Sequence, residues 1–238
     1  MLRTVSRLDS EAPSEAISRG VADGCTTEQR LTRSLLGYGI VAGPFYVVVS
    51  LAQAAARDGF ELSRHQWSLL ANGPWGWVQV TNLILSGAMI IAAAVGYRRI
   101  LGTGAGGRWA PRLLAVYGAC LVAAGVFRAD PMSGFPVGTP DGPPVTPTLD
   151  GTLHMVAGGV GFLALIALTF VMARRFRQQG RRGRATFSIV TGVGFLAGFA
   201  GIASGSTNAV VTLGFTAAVL GAWAWVTSTS LDLYRQAR

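Results

Sequence analysis

ARRFRQQGRRGR, residues 173–184, carries six arginines and no acidic residue, and long apolar runs flank it on both sides. An arginine at the centre of a bilayer costs about 2.5–3.5 kcal/mol on insertion scales, so this stretch lies outside the hydrocarbon. Short loops this basic are retained on the cytoplasmic side. That assignment orients every other segment.

Away from this stretch the chain is strongly apolar. Half of its 238 residues are hydrophobic, 13% are charged, and the mean hydropathy is +0.43. A soluble domain carries about a quarter charged residues. The deficit, together with apolar runs of about 20 residues, predicts a polytopic membrane protein. The expected fold is all-α: a compact bundle of six transmembrane helices in the cell membrane, with both termini cytoplasmic. The spans are predicted at about residues 35–56, 75–97, 113–127, 152–172, 185–203 and 209–230. Residues 1–30 read as a disordered cytoplasmic tail and residues 31–238 as the membrane domain.

The net charge of +9 sits on one side of that layout. The tail and the first outer loop are neutral, and the second outer loop is negative. Arg98, Arg99, Arg108, Arg112 and the six arginines above face inward. Anionic lipid headgroups are therefore the expected partner of this charge, and nucleic acid is not. There is no lysine, which excludes a Schiff-base cofactor or a lysine nucleophile, and no cofactor is expected. Cys25 and Cys120 fall on opposite sides of a topology boundary, so no disulfide is expected.

Several local features refine the layout. Pro44 is expected to kink the first helix. Ser63 is placed to cap a short helix running to Leu70, with Trp67, Leu69 and Leu70 on its apolar side at the membrane interface. Trp75 and Trp77 mark a headgroup boundary, as do Trp223, Trp225 and Tyr234 at the opposite face. Trp109 and Pro111 open the third helix within the interface. Six prolines between Pro131 and Pro147 forbid a regular helix there. In the fifth span, Gly194, Gly198, Gly201 and Gly205 give two GxxxG spacings, which serve close packing within the bundle or a homo-oligomer face.

Polar residues inside spans are the informative exceptions. Gln79, Asn82 and Ser86 lie within about 60° of one another at about 100° per residue. His154, Gly158 and Gly161 share a face of the fourth span, and Tyr117, Cys120, Ala124 and Arg128 share one on the third. All three faces converge near the outer leaflet, beside Glu61, Arg64, His65, Asp130 and Asp150. Asp150 stands where a helix N-cap belongs, and its carboxylate could instead orient His154 or pair with Arg128. The candidate ligand-binding residues are His65, Gln79, Asn82, Arg128, Asp130, Asp150 and His154, with His154 and Asp150 the candidate acid–base pair. The competing reading is structural: buried amides join helices, and an interfacial histidine bonds a neighbour. His65, His154, Asp130 and Asp150 have acceptable ligand types, but no local spacing supports a metal, and none is expected.

The motifs HQWSLL (residues 65–70), GPWGWVQVTN (73–82), GVFRADP (125–131) and DGTLH (150–154), in this order and spacing, resemble the prokaryotic membrane-protein family catalogued as domain of unknown function 998. The resemblance runs over about residues 35–230. It implies a compact six-helix membrane protein and no activity. Other six-span patterns do not fit. Hydrolases similar to alkaline ceramidase need three histidines where this chain has two, and cytochromes of the b561 type need histidine pairs at both faces.

Three functions follow from the outer cluster. One is non-catalytic binding of a lipid or small hydrophobic molecule. Another is a hydrolase-like enzyme at the outer leaflet, with His154 as base, Asp150 orienting it and Arg128 holding an anion. The third is transport of a neutral solute, which ranks last because no carboxylate falls inside a span.

Overall fold

A computed structural model describes residues 26–237. The expectations for the tail over residues 1–25, Cys25 among them, lie outside the described residues. Each apolar run forms a helix: α1 is Thr27–Ala56, α2 Gly76–Leu101, α3 Ala110–Val126, α4 Leu149–Gln178, α5 Arg182–Ala203 and α6 Ala209–Gln236. Five are long and apolar enough to cross a membrane, and α3, with 17 residues, is shorter. The bounds differ from the predicted spans in one consistent way: most helices run further at the arginine-rich end.

There, α1 begins at Thr27, inside the stretch assigned to the tail. Thr26 and Gln29 form a reciprocal capping box, with Thr26 N–H donating to Gln29 Oε1 at 2.8 Å. Likewise α4 continues to Gln178, so only residues 179–181 of the basic stretch are non-helical. Arginine is a good helix former, and the helix continues past the apolar run.

Each helix packs against the next in sequence, and α6 packs back against α1, closing a ring. At the arginine-rich end α2 and α6 also meet across the ring, where the Tyr97 and Ser230 hydroxyls lie 3.1 Å apart. Gly39 of α1 makes that closeness possible. A Cβ there would stand 3.0 Å from the β-carbons of both Ala93 and Ser230. Leu36, Tyr97, Met172, Phe176, Trp225 and Leu233 fill this half with buried side chains.

Trp223 and Trp225 depart from expectation. Both are buried in the bundle rather than turned to headgroups. The Trp225 indole N–H donates to Ser188 Oγ at 2.8 Å, and Trp223 packs on Tyr46 and Tyr117. The α6 helix continues through Gln236, so these tryptophans sit deeper than a span ending near 230 implied. Trp75, Trp77 and Trp109 are exposed as expected.

An ion pair ties the arginine-rich end. Arg181 binds Asp232 through two hydrogen bonds of 2.6 and 2.5 Å, Arg184 approaches at 3.7 Å, and the Gln236 amide donates at 3.0 Å. The hydrogen bond to Asp232 raises the Arg181 pKa above its ordinary value, outweighing the effect of burial.

The opposite end carries the two longer loops. Ser63 caps nothing there; a 3₁₀ turn over Trp67–Ala71 follows Gln66, which makes no side-chain cap. Trp67, Leu69 and Leu70 share its apolar side, which packs into the bundle core rather than on a membrane interface. Arg57 holds this turn by donating to Leu70 O at 2.8 Å and Asn72 O at 2.5 Å, with its guanidinium 5.0 Å from the Phe135 ring centroid. Burial lowers the Arg57 pKa.

The GxxxG positions of α5 divide by role. Gly198 lets the α6 backbone approach, since a Cβ would lie 3.2 Å from Phe215 Cα, and Gly201 faces Val211. Gly194 is exposed with open space beside it, and Gly205 makes the turn into α6 at φ +75°.

Candidate ligand cavity

The ring is solid at its arginine-rich end and hollow at its loop end. The hollow is a cavity of about 570 Å³ walled by all six helices, α2 through Leu83 alone, and by the loops. Two aromatic groups shape it. Trp67, Tyr46, Trp223 and Tyr117 form a chain of ring contacts 5.0–5.9 Å between centroids. Opposite them, Phe162 packs edge-on to Phe195 and Phe199, and Phe215 completes the cluster. The walls are mostly carbon, the chemistry of a site for an apolar molecule.

His154 lines this cavity from α4 and is 94% buried, its relative exposure being 6%. Its Nδ1 lies 2.9 Å from Phe127 O and 3.1 Å from Ala124 O. Both partners are carbonyls, so Nδ1 carries the proton and donates. These carbonyls close the last turn of α3, where a helix leaves acceptors without intrahelical partners. The imidazole is thereby locked in tautomer and direction. Its Nε2 has no hydrogen-bond partner among the described residues, and in the neutral ring that nitrogen is an acceptor.

One turn further along α4, Gly158 also lines the cavity, and a Cβ there would meet no atom within 4 Å. The shared face of His154, Gly158 and Gly161 therefore splits. Gly161 is packed against Cys120, whereas Gly158 leaves open space.

The other candidate residues go elsewhere. His65 is almost wholly buried: Nδ1 accepts from Glu61 N–H at 2.9 Å and Nε2 donates to Ser133 O at 2.9 Å. Both nitrogens are used, so the ring pins the two loops together. Gln79 and Asn82 face α1. The Gln53 amide donates to Gln79 Oε1 at 2.7 Å, and Asn82 Nδ2 donates to Tyr46 O and Ser50 Oγ at 3.1 Å each. They join α1 to α2, and neither lines the cavity.

Asp150 does not cap α4. Thr148 is the N-cap, its hydroxyl accepting from Gly151 N–H at 3.0 Å. Asp130 fixes Thr148 in turn, accepting from its N–H at 3.0 Å and its hydroxyl at 2.6 Å. Asp150 is exposed on the first turn, and no hydrogen bond links it to His154 among the described residues. Arg128 is exposed too and belongs to a separate shallow groove beside Trp77 and Gly125. The acid–base pair and its anion clamp are not assembled. Among the described residues no three His, Cys, Asp or Glu side chains gather as a metal site.

Sequence reading missed Arg57 and Asp232, and it placed Gly158 on the His154 face without giving it a part in a cavity. A charge at the last residue of a span was the available signal for Arg57, and a lone acid among arginines the signal for Asp232. Gly158 had none beyond its place on the His154 face.

A ring of apolar helices around a cavity defines a multi-pass membrane protein with a helical bundle. The chain belongs to the family described as Protein of unknown function (DUF998), whose model matches residues 40–232. No curated protein and no solved structure matches it.

Proposed function

We propose that the protein is a six-span protein of the cell membrane, with both termini cytoplasmic, that holds a lipid or small hydrophobic molecule in its central cavity without acting on it. The observation that carries this reading is the carbon-walled cavity of about 570 Å³, with one locked imidazole on its wall. Interiors pack to crystal-like density, so an apolar void of this size is a place for a guest.

Connectivity supports six spans. The α3 helix starts beside the C-terminal end of α2 and ends where Phe127 O meets His154 near the start of α4. At 1.5 Å per residue it covers about 25 Å, close to the hydrocarbon thickness. Arginine placement supports the orientation, and sets the arginine-rich end against anionic headgroups. A fluorescent-protein fusion after the C-terminus tests this, since bright cells are expected and a dark, exported fusion reverses the orientation.

The binding test is native mass spectrometry on protein purified in mild detergent. Wild-type protein is expected to retain one hydrophobic molecule per chain, Gly158→Leu to retain none, and His154→Ala to retain less. Equal retention by all three overturns the proposal.

A further inference from the structure

The chemistry of the cavity wall narrows the guest, resting on the binding reading above. From its wall we infer that the cavity is built for a neutral, single-chain molecule whose head donates a hydrogen bond, such as a long-chain alcohol, to Nε2 of His154.

Three observations carry this. The first is polarity. Nδ1 spends its proton on the α3 carbonyls, so the edge of the ring left to the cavity is an acceptor and asks for a donor. An acceptor that opens on an apolar cavity favours a ligand that supplies a donor over an equally apolar ligand that cannot. The Trp67 indole N–H of the same wall is buried without a partner among the described residues, and it suits a head that also accepts, as a hydroxyl does.

The second is charge. The wall carries two formally charged side chains, Arg64 and Asp130. Arg64 is paired to Asp141 at 2.7 Å, and Asp130 is bonded to Thr148. Neither offers a free cation to a carboxylate or phosphate lying among the Phe and Tyr rings. Placing an unpaired anion there is costly, which disfavours fatty acids and phospholipid heads inside the cavity.

The third is size. A cavity of about 570 Å³ admits on the order of twenty non-hydrogen atoms or more, which is room for a single long chain.

The test titrates delipidated full-length protein in detergent with 1-hexadecanol, with its methyl ether and with hexadecanoate, each read by native mass spectrometry. Wild-type protein is expected to bind the alcohol about tenfold more tightly than the ether, which has no proton to donate. His154→Ala is expected to bind the two equally, and Gly158→Leu to bind neither. Equal binding of alcohol and ether by wild-type protein, with Gly158→Leu still blocking both, overturns the donor inference and leaves the cavity reading standing. Tightest binding of hexadecanoate as its anion, measured at a pH well above the pKa of the acid, also overturns the donor inference, because a carboxylate accepts hydrogen bonds and has none to donate. Binding that Gly158→Leu does not change overturns the cavity reading itself. The alcohol-to-ether ratio needs only wild-type protein, so a misfolded His154 variant does not spoil the test.

Discussion

The arginine-rich half and the loop half of the bundle are made of the same six helices and spend them differently. In the first, Gly39 lets α1 sink between α2 and α6, Tyr97 meets Ser230 across the ring, and Arg181 grips Asp232. In the second, the helices stand apart around about 570 Å³ of space, and the loops are held by backbone-directed bonds from Arg57, His65 and Asn72. Side-chain packing supplies the stability of one half. The other gives up packing and keeps a site.

The sharpest way to break this contrast is to add the same side chain to a glycine in each half. Gly39→Leu is expected to cost about 3 kcal/mol or more, because the new atoms meet Ala93 and Ser230 and cannot be relieved without separating three helices. Thermal unfolding in detergent, followed by size-exclusion chromatography, measures it. A monodisperse, equally stable variant would mean the arginine-rich half is not tightly packed.

Asp232→Ala comes next. It leaves Arg181 and Arg184 without their carboxylate in a partly buried setting, at a cost of about 2 kcal/mol. Adding Arg181→Ala to it is expected to recover part of the loss, and a double-mutant cycle without coupling would refute the pairing.

Asn82→Ala sharpens the comparison from inside the loop half. The residue joins α1 to α2, so about 1 kcal/mol of stability is expected to go while ligand retention stays at the wild-type level. Lost retention with unchanged stability would return Asn82 to the binding site.

The smallest effect belongs to Gly158→Leu. With no atom within 4 Å of the new Cβ, stability is expected to hold within about 0.5 kcal/mol even as binding is abolished. A large fall in its melting temperature would show that the space is not free.

The helices were legible because a bilayer demands long apolar runs, and every predicted span overlaps a helix. Their extra turns at the arginine-rich end were not, because arginine reads equally as loop or as solvated helix. His154 was found by its polarity in an apolar run. Its true partners were not, because Ala124 O and Phe127 O are backbone atoms brought near by the α3–α4 packing and leave no mark in side-chain chemistry. Asp150 was chosen as a cap by type and position, but Thr148 stands two residues earlier with Asp130 behind it. Trp223 and Trp225 were assigned by an average preference of tryptophan that the depth of α6 overrides.

Closure of the ring by α6 on α1 also makes the last helix common to both halves. The helix made last supplies Phe215 and Trp223 to the cavity wall and Asp232 to the ion pair. Without it the other five helices make an open horseshoe, and neither the cavity nor the tie at the arginine-rich end exists. A chain cut short before α6 therefore loses both halves of the molecule at once, the hollow and the clamp.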